Sequence, residues 1–152
     1  MKRIIALVLA AVMCLTAFVG CGAKEVKLDE VLGKIDSEYS LKLNKIENAD
    51  DLTKYYSIDT KDVKQFAAEI NSSVNDPVEI VLVEAVDKDA AANIERALSS
   101  RYNSILTQYA GYTPEKLDMV KACKVTNENN FVTMIVAENA DGMLKIFNES
   151  VK

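Results

Sequence analysis

The chain of 152 residues contains no histidine. That absence removes the commonest general base and the commonest metal ligand together. Catalytic triads with a histidine base are excluded, as are zinc sites of ordinary composition, and any enzyme would need lysine or carboxylate chemistry. There are five glycines and none of them forms a glycine-rich phosphate loop. Cysteine is scarce too: Cys14, Cys21 and Cys123. No Gly/Ser-rich or proline-rich linker, internal repeat or low-complexity tract interrupts the chain.

What is present is an ordinary globular balance, 49% hydrophobic and 27% charged. The length suits one domain with a real core. The start is different. Lys2 and Arg3 precede the uncharged run IIALVLAAVMCLTAFVG, which is the positive-then-apolar order of an export signal. The run ends in Phe18-Val19-Gly20-Cys21, which resembles a bacterial lipobox, with Phe18 where leucine is usual. The expectation is a signal over residues 1–20, diacylglycerol and palmitate attachment at Cys21, a short tether over 21–26, and a folded domain over 27–152. Cleavage after Ala23 is the alternative. Two or three acyl chains, at about 0.8 kcal/mol per buried methylene, would hold the chain firmly at the outer face of the cytoplasmic membrane.

Loss of residues 1–20 removes Lys2 and Arg3 and no acid, leaving 16 basic against 23 acidic residues, a net charge of −7. Such a domain is repelled by nucleic acid, so no nucleic-acid partner is expected. Cys14 would leave with the signal. If Cys21 is acylated, Cys123 then has no thiol partner within the chain, and it reads as a small core residue.

The organising stretch is Glu79 to Pro114. Ile80-Val81-Leu82-Val83 is apolar on both faces, as in a strand covered on both sides. Asp87 and Asp89 suit the start of a helix that carries Ile94, Ala97, Leu98, Tyr102, Ile105 and Tyr109 as its stripe. Gly111 is expected as a left-handed C-terminal residue, with Pro114 opening a short helix to Val120. Upstream, Leu28, Val31, Leu32, Ile35, Tyr39 and Leu43 have helical spacing, and a second helix runs from Ala49 to Tyr56 with Asn48 as its cap. Val63–Ser73 fits a helix through Val63, Phe66, Ala67 and Ile70, or a strand through Phe66, Ala68 and Ile70. Lys124–Ala137 reads as a hairpin turning through Asn127–Asn130, and Ala140–Asn148 as a final helix.

Leu52 with Tyr55-Tyr56 and Ile58, Glu79-Ile80 at the strand, Tyr112-x-Pro114-Glu115 after the long helix, and the closing hairpin and helix carry a resemblance. From about residue 50 to 148 the chain is similar to a family of small bacterial lipoproteins, mainly from Gram-positive anaerobes, known as a domain of unknown function. The resemblance implies a strand at Val63–Ser73 and brings no catalytic residues. The expected fold is therefore α+β, a four-stranded antiparallel sheet in the order ααββαββα. One face would take the long and final helices; the other would take the N-terminal helices or a protein partner.

The functional expectations divide three ways. The first is a lipid-anchored, non-catalytic interaction or accessory module. The second is a binder of a sugar, peptide or similar ligand, gripped by Tyr102, Tyr109 and Tyr112, which could equally be core-edge packing. The third, an enzyme, lacks visible machinery, and no metal or cofactor is expected. Asp87-Lys88-Asp89 starts like a calcium loop, but Ala91 and Ala92 stand where an oxygen ligand and a glycine are needed.

Overall fold

The computed structural model describes residues 26–73 and 75–152. The expected signal and Cys21 lie outside them. The order is α1 (Leu28–Tyr39), β1 (Asn44–Ile46), α2 (Ala49–Tyr56), a 3-10 turn (Thr60–Asp62), β2 (Val63–Ile70), β3 (Glu79–Ala85), α3 (Lys88–Tyr112), α4 (Pro114–Ala122), β4 (Lys124–Glu128), β5 (Phe131–Val136) and α5 (Ala140–Ser150). The strands form one open sheet ordered β1-β2-β3-β5-β4, with every neighbouring pair antiparallel. The class is α+β, as expected, with five strands rather than four among the described residues.

The extra strand is β1. Helical spacing in the sequence continues from Tyr39 to Leu43, but Ser40 takes a left-handed conformation (φ 51°) and closes α1. The chain then lays Asn44–Ile46 along Ile70–Ala68 of β2. Asn48 stands before α2 as expected, without a side-chain bond to the helix. The segment after Asp62 is a strand: Phe66, Ala68 and Ile70 face one side, and Ala68 pairs with Val81 of β3. Gly111 differs from expectation as well. It lies inside α3, which runs on to Tyr112, and Thr113 is the residue between α3 and α4. The hairpin turns at Asn129 and Asn130, both left-handed (φ 53° and 68°), as a two-residue turn between right-twisted strands requires.

Both faces of the sheet are covered by this chain. Val81, Val83, Val132, Met134 and Val136 point toward α3 and share one core with its Ile94 and Leu98 and with Leu52 and Tyr56 of α2, and Ile105 and Tyr109 continue that core along the helix. Ile80, Leu82, Ala67 and Ile135 point the other way, toward Leu28, Val31, Leu32 and Ile35 of α1 and Met143 and Phe147 of α5. The final helix therefore lies opposite α3, beside α1, and not on the face expected for it. Ile135 and Ala137 carry the end of β5 toward that second face. Phe147 packs edge-on against Phe131 at 6.0 Å between ring centres. The Tyr39 hydroxyl packs against Gly142, in space that a Cβ at that position would occupy. Of the two covers expected for the second face, N-terminal helices or a protein partner, the first supplies it in part: α1 lies there, joined by α5.

Two substitutions test this packing. Leu82→Ala removes a fully buried side chain and lowers the unfolding free energy by about 2–5 kcal/mol in denaturant titration. Asn130→Gly releases the left-handed strain and deletes the buried Oδ1, which no protein donor reaches among the described residues; it raises stability by about 0.5–1 kcal/mol.

Candidate functional site

The domain has two distinct ends. Gln65 donates to the carbonyl of Val26 at 2.7 Å and also bonds the Glu84 carboxylate, so the N-terminal segment enters beside the end of β3. α3 runs back along the strand, and its Arg101 reaches Glu79, the first residue of β3. The rest of α3, Tyr102 to Tyr112, extends beyond that end of the sheet for about 16 Å at 1.5 Å per residue. This distal extension and the loop that joins β2 to β3 enclose a cleft of about 170 Å3.

Its floor is an ion pair. Glu79 is 4% exposed, because an acid that opens a two-sided apolar strand is carried into the layer between sheet and helix. Arg101 donates to it from Nε at 3.1 Å and from Nη2, a forked contact that matches a carboxylate. The hydrogen bond to Glu79 in turn raises the pKa of Arg101. The Tyr56 hydroxyl is buried beside the same carboxylate, and burial first, then Glu79, pushes it far above the ordinary tyrosine range. Tyr56 and Glu79, two residues that carry the family resemblance, thus meet at one point.

The β2–β3 loop forms the cleft wall. Asn71 donates from Nδ2 to Asp76 Oδ2 at 2.9 Å while its Oδ1 accepts from the Ser73 N–H at 2.9 Å. Asp76 Oδ1 is buried and accepts no hydrogen bond from the described residues. Tyr109, buried and lining the cleft, has its pKa raised by burial, then by Asp76 and Glu79.

The three tyrosines read from the sequence do not form one grip. Tyr102 directs its hydroxyl to the carbonyls of Val120 and Cys123, 2.8 Å from each, and ties α3 to the start of β4. Tyr109 faces the cleft. Tyr112 is 86% exposed at the tip. Sequence reasoning missed Arg101, Glu79 and Asp76 as site residues. A signal existed for Arg101, the one charged residue between Arg96 and Glu115. Cys123 is buried, its thiol 3.2 Å from the Met119 carbonyl, and burial raises its pKa. Asp87 accepts from the Ala90 N–H and caps α3. Among the described residues no three His, Cys, Asp or Glu side chains gather as a metal site, and no helix is long and apolar enough to cross a membrane.

A second polar pair lies between α1 and β2. Burial, then the facing Asp36 carboxyl, lifts Glu69 to about 7, while Lys45 pulls it the other way from β1, where it pairs with Asp29 at 2.8 Å. Asp36 is raised as well, chiefly by burial.

The fold and this distal cleft define a helix-covered α+β domain without a visible catalytic set among its described residues. A family model for a domain of unknown function (DUF4358) matches residues 36–137, more than half of the chain, and the chain belongs to that family. The match starts upstream of residue 50, within α1, and stops before α5. No curated protein and no solved structure matches the chain.

The two polar pairs give different signatures. Arg101→Ala strands Glu79 in a buried site and costs about 3 kcal/mol or more in denaturant titration, whereas Glu79→Leu with Arg101→Met restores much of it. Glu69 binds its proton more tightly folded than unfolded, so its contribution to stability falls as pH rises from about 4.5 to about 7 and is level above. Melting is therefore higher at pH 5 than at pH 8 on this group's account, and Glu69→Gln raises the pH 8 value and flattens that window.

Proposed function

We propose that the chain is a lipoprotein held at the outer face of the cytoplasmic membrane through acylated Cys21, and that it acts there as a non-catalytic interaction module through its distal end. The same reading takes the family as lipoproteins of Gram-positive anaerobes. The observation that carries it is the opposite placement of Val26 and Tyr112. Val26 follows Cys21 by five residues, a reach of at most about 18 Å, so the Val26 end would lie near the lipid. The sheet, about 23 Å long at β3, and the α3 extension then hold Tyr112 and the cleft away from the membrane. The lipobox-like Gly20-Cys21 supports the anchor, and the acidic balance disfavours adhesion of the domain to anionic headgroups. With both sheet faces covered, the distal end is the better candidate for the interaction surface. The cleft favours a second reading, a small-ligand binder.

Cells fed an alkyne-tagged palmitate should label the wild-type chain, and Cys21→Ala should abolish both the label and membrane retention. A photo-crosslinking residue at position 112 should give protein adducts on intact cells, and one at Lys152, which lies beside Val26, should give lipid adducts. Retained label in Cys21→Ala, or lipid adducts from both positions, would sink the proposal.

A further inference from the structure

We infer that Asp36 and Glu69 share a proton across the contact between α1 and β2, and that its loss toward alkaline pH opens the end of α1 together with β1, so that this sheet edge is a pH-gated element. The inference rests on the folded domain alone and stands whether or not Cys21 is acylated.

The geometry of the contact calls for a proton. Glu69 alternates onto the same face of β2 as Ala67, which shares a core with Leu32 and Ile35 of α1. It is 8% exposed, and the Asp36 carboxyl of α1 lies within hydrogen-bonding reach of it. Asp36 Oδ1 is buried and receives no donor from the described residues. Two ionised carboxylates placed in this way repel each other and leave that oxygen unsatisfied. A proton on the pair removes both penalties, because a protonated carboxyl can donate to its neighbour.

The charged groups around the pair do not substitute for that proton. Lys45 stands opposite Glu69 on β1, but its ammonium is engaged by Asp29 in the first turn of α1, 2.8 Å away. Glu47, just after β1, also faces Lys45. On the β3 side the residue opposite Glu69 is the uncharged Ile80. Asp36 and Lys45 are the charges that act on Glu69, and burial, then Asp36, lifts its carboxyl to about 7. Proton loss therefore falls in the neutral range.

Asp36 also fastens the end of α1. Its carbonyl accepts from the N–H of Ser40, where the chain turns left-handed, and from the N–H of Leu41 at 3.2 Å. The chain then enters β1, which is three residues long and has β2 as its one strand partner. Leu28, Val31, Leu32 and Ile35 bury the first part of α1, whereas no side chain in residues 36–39 is fully buried. Repulsion at Asp36 thus acts on the least anchored part of the helix and passes through Ser40 to β1. Ile46 is the buried side chain of β1 and favours the closed form. Opening bares the backbone of β2 at residues 68–70, which β1 otherwise pairs.

Amide hydrogen exchange of the full chain in detergent micelles at pH 5 and pH 8, corrected for the intrinsic pH dependence of exchange, tests this gate. Opening of residues 39–46 should increase at least about tenfold from pH 5 to pH 8 relative to residues 80–83, because the closed form holds the proton more tightly than the open form. Glu69→Gln, whose amide can donate to Asp36 without titrating, should keep the pH 8 opening at its pH 5 value. Carbon-13 NMR of the wild type should show both carboxyls shifting together near neutrality. The wild-type measurements need no variant, so a folding defect in Glu69→Gln would not obscure the result. Equal opening at the two pH values, as when Lys45 turns from Asp29 to Glu69 and replaces the proton, would overturn the inference. So would a transition retained in folded Glu69→Gln, or carboxyls that both finish titrating in the ordinary range below about pH 5.

Discussion

Four successive side chains of β3, Ile80 to Val83, have no exposure to solvent, so this strand needs cover on both of its faces. Alternation along the strand divides the obligation: Val81 and Val83 require α3, while Ile80 and Leu82 require α1 and α5. Either layer alone would leave half of the central strand in water. The helices flanking the family-matched region, most of α1 and all of α5, are thus as necessary to the fold as α3, since they form the second layer. That constraint also explains why the described structure begins and ends with helices on the same face.

The distal end follows from where the apolar strand stops. Glu79 opens β3 at the boundary between core and loop, too deep for solvation and held by Arg101 across the layer. A buried ion pair adds less to stability than its contacts suggest, but it fixes α3 against the strand start at one position. Beyond that point α3 has no strand beneath it. Its last residues are instead held by α4 and by Tyr102, whose hydroxyl meets the carbonyls at Val120 and Cys123. The projecting segment and the β2–β3 loop leave a polar cleft between them, at the end opposite the entry of the N-terminal segment.

Much of this was legible in the sequence where periodicity is strong. The two-sided strand, the long helix, the asparagine turn and the helix at Pro114 are all where the pattern puts them, because each rests on local side-chain chemistry. The breaks were harder to see. Ser40 ends α1 by taking a left-handed conformation that nothing in Tyr39–Leu43 announces, and β1 is held by pairing with β2 rather than by its own propensity. Gly111 offered a helix stop, yet the helix runs on to Tyr112, with the break at Thr113 and Pro114. The cleft was legible least of all. Glu79, Arg101 and Asp76 come from three separate segments, and their meeting depends on how far α3 travels along β3. The tyrosines were visible as a set in the sequence, but helical geometry sends Tyr102, Tyr109 and Tyr112 to three different surroundings.

The central claim, that β3 is sealed between two helix layers of the same chain and that α3 projects past the sheet, is tested most directly by amide hydrogen exchange. The account predicts that Ile80–Val83 and Val132–Val136 exchange only through global unfolding, as slowly as any amides in the domain. It predicts faster exchange through local opening in the last turns of α3, up to Tyr112. Exchange of the β3 amides at the rate of the α3 tip, in a domain that is otherwise folded, would contradict it.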